Sequence, residues 1–277
     1  MKTERFGVCR LTGTRGKFAK SHLIPRAFTK PTENGAPLLQ AGHRTPISER
    51  YDSWYDRQIV TQEGEYILGQ IDDAAIRELR KHKLVWSGWG GMRELNDPDH
   101  HLFMPPAHGV RRVRGINTGV LRTFFLSLLW RAAVTSRFEF AEVMLSEADV
   151  RQLGELVLSG EWGPADFYPA TLIQLSTVGL IHNFTPIVET KHMPGAEGSP
   201  AWTVDIVRFY LDGLMVHLHI PGTDDGQTSR LGPVMLGGDD WLAVTTVTYE
   251  QSWQAENLED VITHSMFPDD PPGRKRR

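Results

Sequence analysis

The sequence predicts an α+β protein: a small N-terminal strand-and-helix module, then a helical segment, then an antiparallel sheet. Three observations predict this. The first sixty residues hold short β-type runs punctuated by glycine and proline. Thr61–His82 and Ile116–Val134 repeat apolar residues at helical spacing. Beyond Pro164 the texture turns to alternating, β-branched runs, with Asp212-Gly213 as a strong hairpin turn. The 277 residues are 40% hydrophobic and 23% charged, enough to bury a core without metal or disulfides. One cysteine excludes an intramolecular disulfide framework. With no apolar run near the roughly 20 residues that span a bilayer, and no signal-peptide pattern after Met1, the expected location is cytoplasmic, off the membrane.

Taken in order, Cys9–Gly13 reads as a knuckle and Ser21-His22 as a strand end, which Pro25 stops. A histidine so displayed serves as a general base, a metal ligand or a hydrogen-bonded structural residue. Phe28–Arg50, rich in proline and glycine and containing His43 and Arg44, reads as a loop or hairpin. Asp52 and Asp56 lie in the acidic aromatic run Tyr51–Asp56, where each could bind a hard cation or cap a turn. In the helix from Thr61, Ile67, Ile71, Ala75 and Leu79 share a face. Glu63 and Glu65 occupy the first turn and Arg77, Arg80 and Lys81 the end, which complements the helix dipole.

Cys9-x-x-Thr12-Gly13 followed by Ser21-His22-Leu23-Ile24-Pro25 resembles the front end of HNH-type (ββα-metal) nuclease domains. The second half of that pattern aligns with Val60–Glu65, so Thr12, Thr61 and Gly64 stand where cysteines would and only Cys9 remains. One thiolate, threonines and a glycine cannot close a tetrahedral zinc site. No structural zinc is therefore expected, and packing through Phe6, Val8, Leu11, Phe18, Leu23 and Phe28 is expected to hold a degenerate ββα-metal-like module. The resemblance implies that His22 activates water against a phosphodiester. It also implies Mg²⁺ or Mn²⁺ held by Glu65, with Asp52 and Asp56 as further candidate ligands and Asp72 and Asp73 two turns on. The implied partner is nucleic acid, DNA foremost. Antiphage defence in bacteria and a homo-oligomeric or defence-complex partner follow from the same resemblance. The helix has no histidine before His82, a departure from the pattern. The alternatives are therefore an inactive nucleic-acid- or protein-binding module, or a structural subunit of a bacterial assembly. Leu126–Ala132 resembles a segment downstream of such starts.

A net charge of −4 argues against indiscriminate coating of nucleic acid, but residues 1–30 carry eight basic side chains against Glu4 alone. Lys20 and Arg26 are candidate phosphate contacts there, as are Arg111, Arg112 and Arg114 later. Trp86 and Trp89 either stack on bases or cover a seam. Residues 93–115 read as a linker in which His100 and His101 with Asp97 and Asp99 invite a metal. The expected organisation is a module over 1–92, the linker, an α+β domain over 116–265 and a basic flexible tail over 266–277. Within the domain, Ile116–Val134 is the central core helix and Ser146 caps a second helix that stops at Gly160. Strands follow at Thr171–Val178, Thr203–Leu211, Leu214–Ile220 and Val244–Tyr249. His217 and His219 fall on one strand face, at a spacing fit either for a metal or for an exposed polar surface.

Overall fold

A computed structural model describes residues 5–29, 37–42, 45–193, 201–222, 230–237 and 241–266. His43, Arg44, the stretch from Lys30 to Ala36 and the tail beyond Met266 lie outside the described residues. The elements in order are β1 (Phe6–Val8), β2 (Arg15–Lys17), β3 (Ser21–His22), β4 (Leu38–Gly42), β5 (Thr45–Arg50), β6 (Tyr55–Asp56), α1 (Gln62–Lys81), β7 (His100–Met104), β8 (His108–Arg114), α2 (Thr118–Val134), α3 (Glu147–Ser159), β9 (Ala170–Leu175), β10 (His182–Phe184), β11 (Ile187–Met193), β12 (Trp202–Leu211), β13 (Leu214–His219), β14 (Trp241–Val247) and α4 (Trp253–Met266). The α+β class is as expected.

The large sheet runs β11-β12-β13-β9-β14-β8-β7. It is mixed rather than antiparallel throughout: β14 pairs in parallel with β9, because the chain returns to that edge only after a long excursion through β10–β13. The β12–β13 hairpin turns at Asp212-Gly213, both at positive φ. A side chain on Gly213 would start 2.5 Å from the Trp86 indole, so this turn admits the ring only through a glycine.

One sheet face packs on α2. Phe124, Phe125, Leu128 and Leu129 meet Leu172, Val216, Leu218 and Val244 in a single apolar cluster that also takes in Cys9, Leu11, Leu23, Ile76 and Leu79 from the N-terminal segment. The N-terminal module and the later domain thus share one core. α2 is buried almost all round rather than along a stripe, since α1 and α3 cover what the sheet does not. The other sheet face carries a second cluster of Trp86, Trp89, Leu175, Tyr210, Met215 and Leu258, so the tryptophan pair covers a seam.

Residues 93–115, expected as a linker, instead carry β7 and β8 of the main sheet. Phe6 and Val8, expected to pack the module, are 64% and 60% exposed, because β1 and β2 form an isolated two-stranded ribbon with one face uncovered. Leu11, Leu23 and Phe28 are buried as expected. At α3, Ser146 accepts the Asp149 amide at 3.0 Å and Gly160 ends the helix at φ +71°, the anticipated cap and stop.

Candidate active site

Two short strands and a helix place His22. β3 pairs antiparallel with β6, Ser21 opposite Asp56 and His22 opposite Tyr55, and the connection from Gln58 leads into α1. The ladder continues as Leu23 N–H donates to the Trp54 carbonyl at 2.9 Å, while the Ser53 hydroxyl donates to the Ile24 carbonyl at 3.0 Å. This pairing brings Asp52 beside His22 although thirty positions separate them. His22 Nε2 lies 2.9 Å from Asp52 Oδ1, with the imidazole 21% exposed. The Ser53 amide donates to the same oxygen at 3.0 Å, Lys20 Nζ pairs with Oδ2, and Gln40 Nε2 holds the Asp52 carbonyl at 2.8 Å. Burial raises the Asp52 carboxyl, but hydrogen bonds and charge from Lys20 and His22 prevail and hold it down at about 2. Asp52 is therefore an ionised orienter that accepts a hydrogen bond from Nε2–H and leaves Nδ1 with the ring's lone pair.

A second layer lies beneath. Asp72 on α1 and Arg131 on α2 pair through two hydrogen bonds of 3.0 and 2.5 Å, and Arg131 Nη1 also donates to the His22 carbonyl at 3.2 Å. Glu65, on the first turn of α1, feels His22, Arg131 and Asp72. Burial raises its carboxyl, against the influence of Ser21 and Arg131, and its Oε2 is a buried oxygen with no hydrogen-bond partner among the described residues.

The expected ligands separate into two kinds. Asp56 is committed, accepting from the Gln58 amide at 2.8 Å and the Thr135 hydroxyl at 2.6 Å, so it caps a turn and braces α2. Asp52 is committed to His22 and Lys20. Of Asp52, Asp56 and Glu65, Glu65 has a buried oxygen with no hydrogen-bond partner among the described residues. Among the described residues no group of three or more His, Cys, Asp or Glu is arranged to hold a metal ion. Mg²⁺ is commonly bound through one or two carboxylates with water and substrate oxygens completing its shell; Glu65 is the expected ligand here with an unmet oxygen, and that oxygen is buried.

The four positions of the knuckle pattern converge. Cys9 Sγ accepts the Thr12 amide at 3.4 Å, Thr61 is the N-cap of α1, and a side chain on Gly64 would begin 2.7 Å from Cys9 Sγ. Cys9 is buried among them, and backbone bonds Arg10 N–H to Ile59 O at 2.8 Å and Ala19 N–H to Val60 O at 3.0 Å tie the knuckle to the start of α1. Packing and main-chain bonds close this corner.

Of the expected phosphate contacts, Arg26 is exposed near β3 and Lys20 is the partner of Asp52. Arg111 is not available, whereas Arg112 and Arg114 are exposed on β8. Arg111 is only 5% exposed and is spent on Asp97 and on Gln174 Oε1 at 3.0 Å. Arg112 and Arg114 alternate with the core residue Val113 and so project from the opposite sheet face, Arg112 over the Trp241 ring at 4.5 Å. Of the His100, His101, Asp97, Asp99 cluster, Asp97 is taken by Arg111 and His100 Nε2 meets Thr246 Oγ1 at 2.8 Å. His217 and His219 are both fully buried, because α4 and the second cluster cover the face expected to be exposed. An acidic partner for Arg131 is expected from the sequence, but that it is Asp72, and that the pair stands behind His22, is not. Its only trace in sequence is an arginine inside an apolar helix, which burial obliges to find an acid.

No protein-family model, no curated protein and no solved structure matches the chain.

Proposed function

We propose that the protein is a phosphodiester hydrolase acting on nucleic acid, DNA foremost, with His22 as general base. The observation that carries this reading is the His22–Asp52 hydrogen bond at 2.9 Å on a partly exposed ring. A carboxylate held ionised on one ring nitrogen fixes the tautomer and makes the other nitrogen a better proton acceptor. His22 Nδ1 takes the proton of a water whose oxygen attacks phosphorus, the bond from phosphorus to the leaving sugar oxygen breaks, and that oxygen takes a proton from solvent water. Lys20, Arg26 and the exposed Arg15 of the β1–β2 ribbon give the approach a positive potential. Glu65 would hold Mg²⁺ or Mn²⁺, and such an ion supplies Lewis-acid stabilisation of the charge developing on the phosphate and leaving oxygen. The expectations of a defence setting and of a homo-oligomer or complex partner stay attached to the HNH resemblance.

A second reading, a nucleic-acid-binding module without chemistry, is favoured by one observation: Lys20 neutralises the same carboxylate that serves His22. Supercoiled plasmid incubated with wild type or His22→Ala, with Mg²⁺, Mn²⁺ or EDTA, separates the two. Metal-dependent nicking lost in His22→Ala supports the hydrolase. Salt-sensitive DNA binding without nicking supports the module. Neither binding nor nicking overturns both.

A further inference from the structure

The sheet face covered by α4 carries a cluster of cationic and imidazole groups whose donors are not met. Arg208 on β12 stands directly across from His217 on β13, and Lys191 on β11 reaches in from the next strand, its Nζ 3.4 Å from His217 Nδ1. An ammonium has no lone pair, so His217 Nδ1 accepts and the ring's proton sits on Nε2. That Nε2–H has no partner among the described residues, nor do Nη1 and Nη2 of Arg208, although the Arg208 side chain is only 2% exposed and His217 is fully buried. His219 Nδ1 is likewise unmet, its Nε2 lying 3.2 Å from Thr171 Oγ1. Buried donors left without acceptors cost stability, and a guanidinium costs most. Glu189 Oε1 comes to 3.3 Å from Arg208 Nη1 without making a hydrogen bond, and its side chain is 31% exposed at the rim. Trp253, 47% exposed, stacks nearly parallel on His217 with ring centroids 6.3 Å apart and forms the other side of that rim.

We propose that Arg208, His217 and Lys191 bind a phosphate-type oxyanion between the β11–β12–β13 face and the start of α4. Two cations and an imidazole N–H converge, more donors than a carboxylate's two oxygens need and a match for a tetrahedral oxyanion. Glu189 is the internal competitor. An arriving oxyanion replaces its loose contact with Arg208, and the carboxylate turns toward water. Trp253 offers a flat surface at the rim for whatever the phosphate is attached to. Nothing in this site depends on His22, which lies with α1 and α2 on the other side of the sheet.

The test is thermal melting and calorimetric titration of the full chain in sodium phosphate against chloride at equal ionic strength, followed by a nucleoside monophosphate. Binding raises the melting midpoint with phosphate concentration, by about 4 °C at a hundred times Kd. Lys191→Met weakens binding at least about tenfold, which is what losing one charge-assisted contact does. Glu189→Gln, which removes the competitor, tightens it. Arg208→Met abolishes the phosphate effect, read in chains that still melt cooperatively in chloride, while Lys191→Met and Glu189→Gln carry the test if it does not fold. A nucleoside monophosphate binding more tightly than phosphate identifies the attached group as a nucleoside, and equal affinities identify free phosphate. Equal melting in phosphate and chloride overturns the site. A phosphate effect unchanged in both Lys191→Met and Glu189→Gln also overturns it, because the anion then sits elsewhere.

Discussion

Asp72 and Arg131 join α1 to α2 by a bidentate pair, and the same guanidinium holds the main chain of His22 at 3.2 Å. The histidine's strand is only two residues long, so its pairing with β6 is braced from behind. A buried pair linking the two central helices therefore sets where His22 stands.

Removing one partner leaves the other charge buried and alone. Asp72→Asn or Arg131→Met is expected to cost about 3–5 kcal/mol in urea unfolding, whereas replacing both partners with apolar residues costs far less. The double-mutant cycle measures the coupling.

His22→Ala is expected to remove hydrolysis while lowering the unfolding midpoint only modestly, since Asp52 keeps Lys20 and the Ser53 amide. Asp52→Asn keeps the shape but weakens the tautomer lock, and activity is expected to fall by about 10²-fold or more, the range for a general base that loses its poise. Steady-state nicking assays, each paired with a melting curve, separate chemistry from folding.

Stability should depend on pH through Asp52. Its carboxyl is held at about 2 in the folded protein against an ordinary 3.8, so the stabilisation is fully present above 3.8 and is lost as pH falls toward 2. Asp52→Asn is expected to flatten that part of the curve, its difference from wild type vanishing near pH 2. Lys20→Met should shrink the same dependence, because it removes one of the groups that depress the carboxyl.

Gly64→Ala tests the corner at Cys9. In an open helix this change stabilises by about 0.5–1 kcal/mol. Here the new carbon would start 2.7 Å from the Cys9 sulfur and 3.0 Å from Val60, so overpacking of about 1–3 kcal/mol reverses the sign. Denaturant unfolding with an unchanged m-value checks it.

Several elements were legible because their causes are local. Apolar spacing and end charges placed α1, Ser146 and Gly160 bounded α3, and Asp212-Gly213 marked the β12–β13 turn. β7 and β8 were read as a linker because β7 is almost wholly exposed and β8 spends alternate positions on arginines, so neither shows a clean apolar face. Arg111, His217 and His219 look like surface residues in any short window. They are buried because strands far away in sequence pair beside them.

The candidate site divides in the same way. His22 could be singled out from its own neighbourhood, a strand end stopped by Pro25, and the knuckle positions Cys9, Thr12, Thr61 and Gly64 could be matched by spacing. The partner of His22 could not, because Asp52 stands thirty positions away and only strand pairing brings it near.

By itself the sequence determined the mixture of helix and strand, the helix ends and hairpin turn, and the histidine on display. The tertiary structure alone decided that Asp52 meets that histidine, that Arg131 and Asp72 stand behind it, and that Arg208, His217 and His219 lie buried with unmet side-chain nitrogens on the sheet face toward α4. Periodicity and turn chemistry act over a few residues, whereas the partner of a charge is chosen by strand register and helix packing across tens of residues, where spacing along the chain carries no distance.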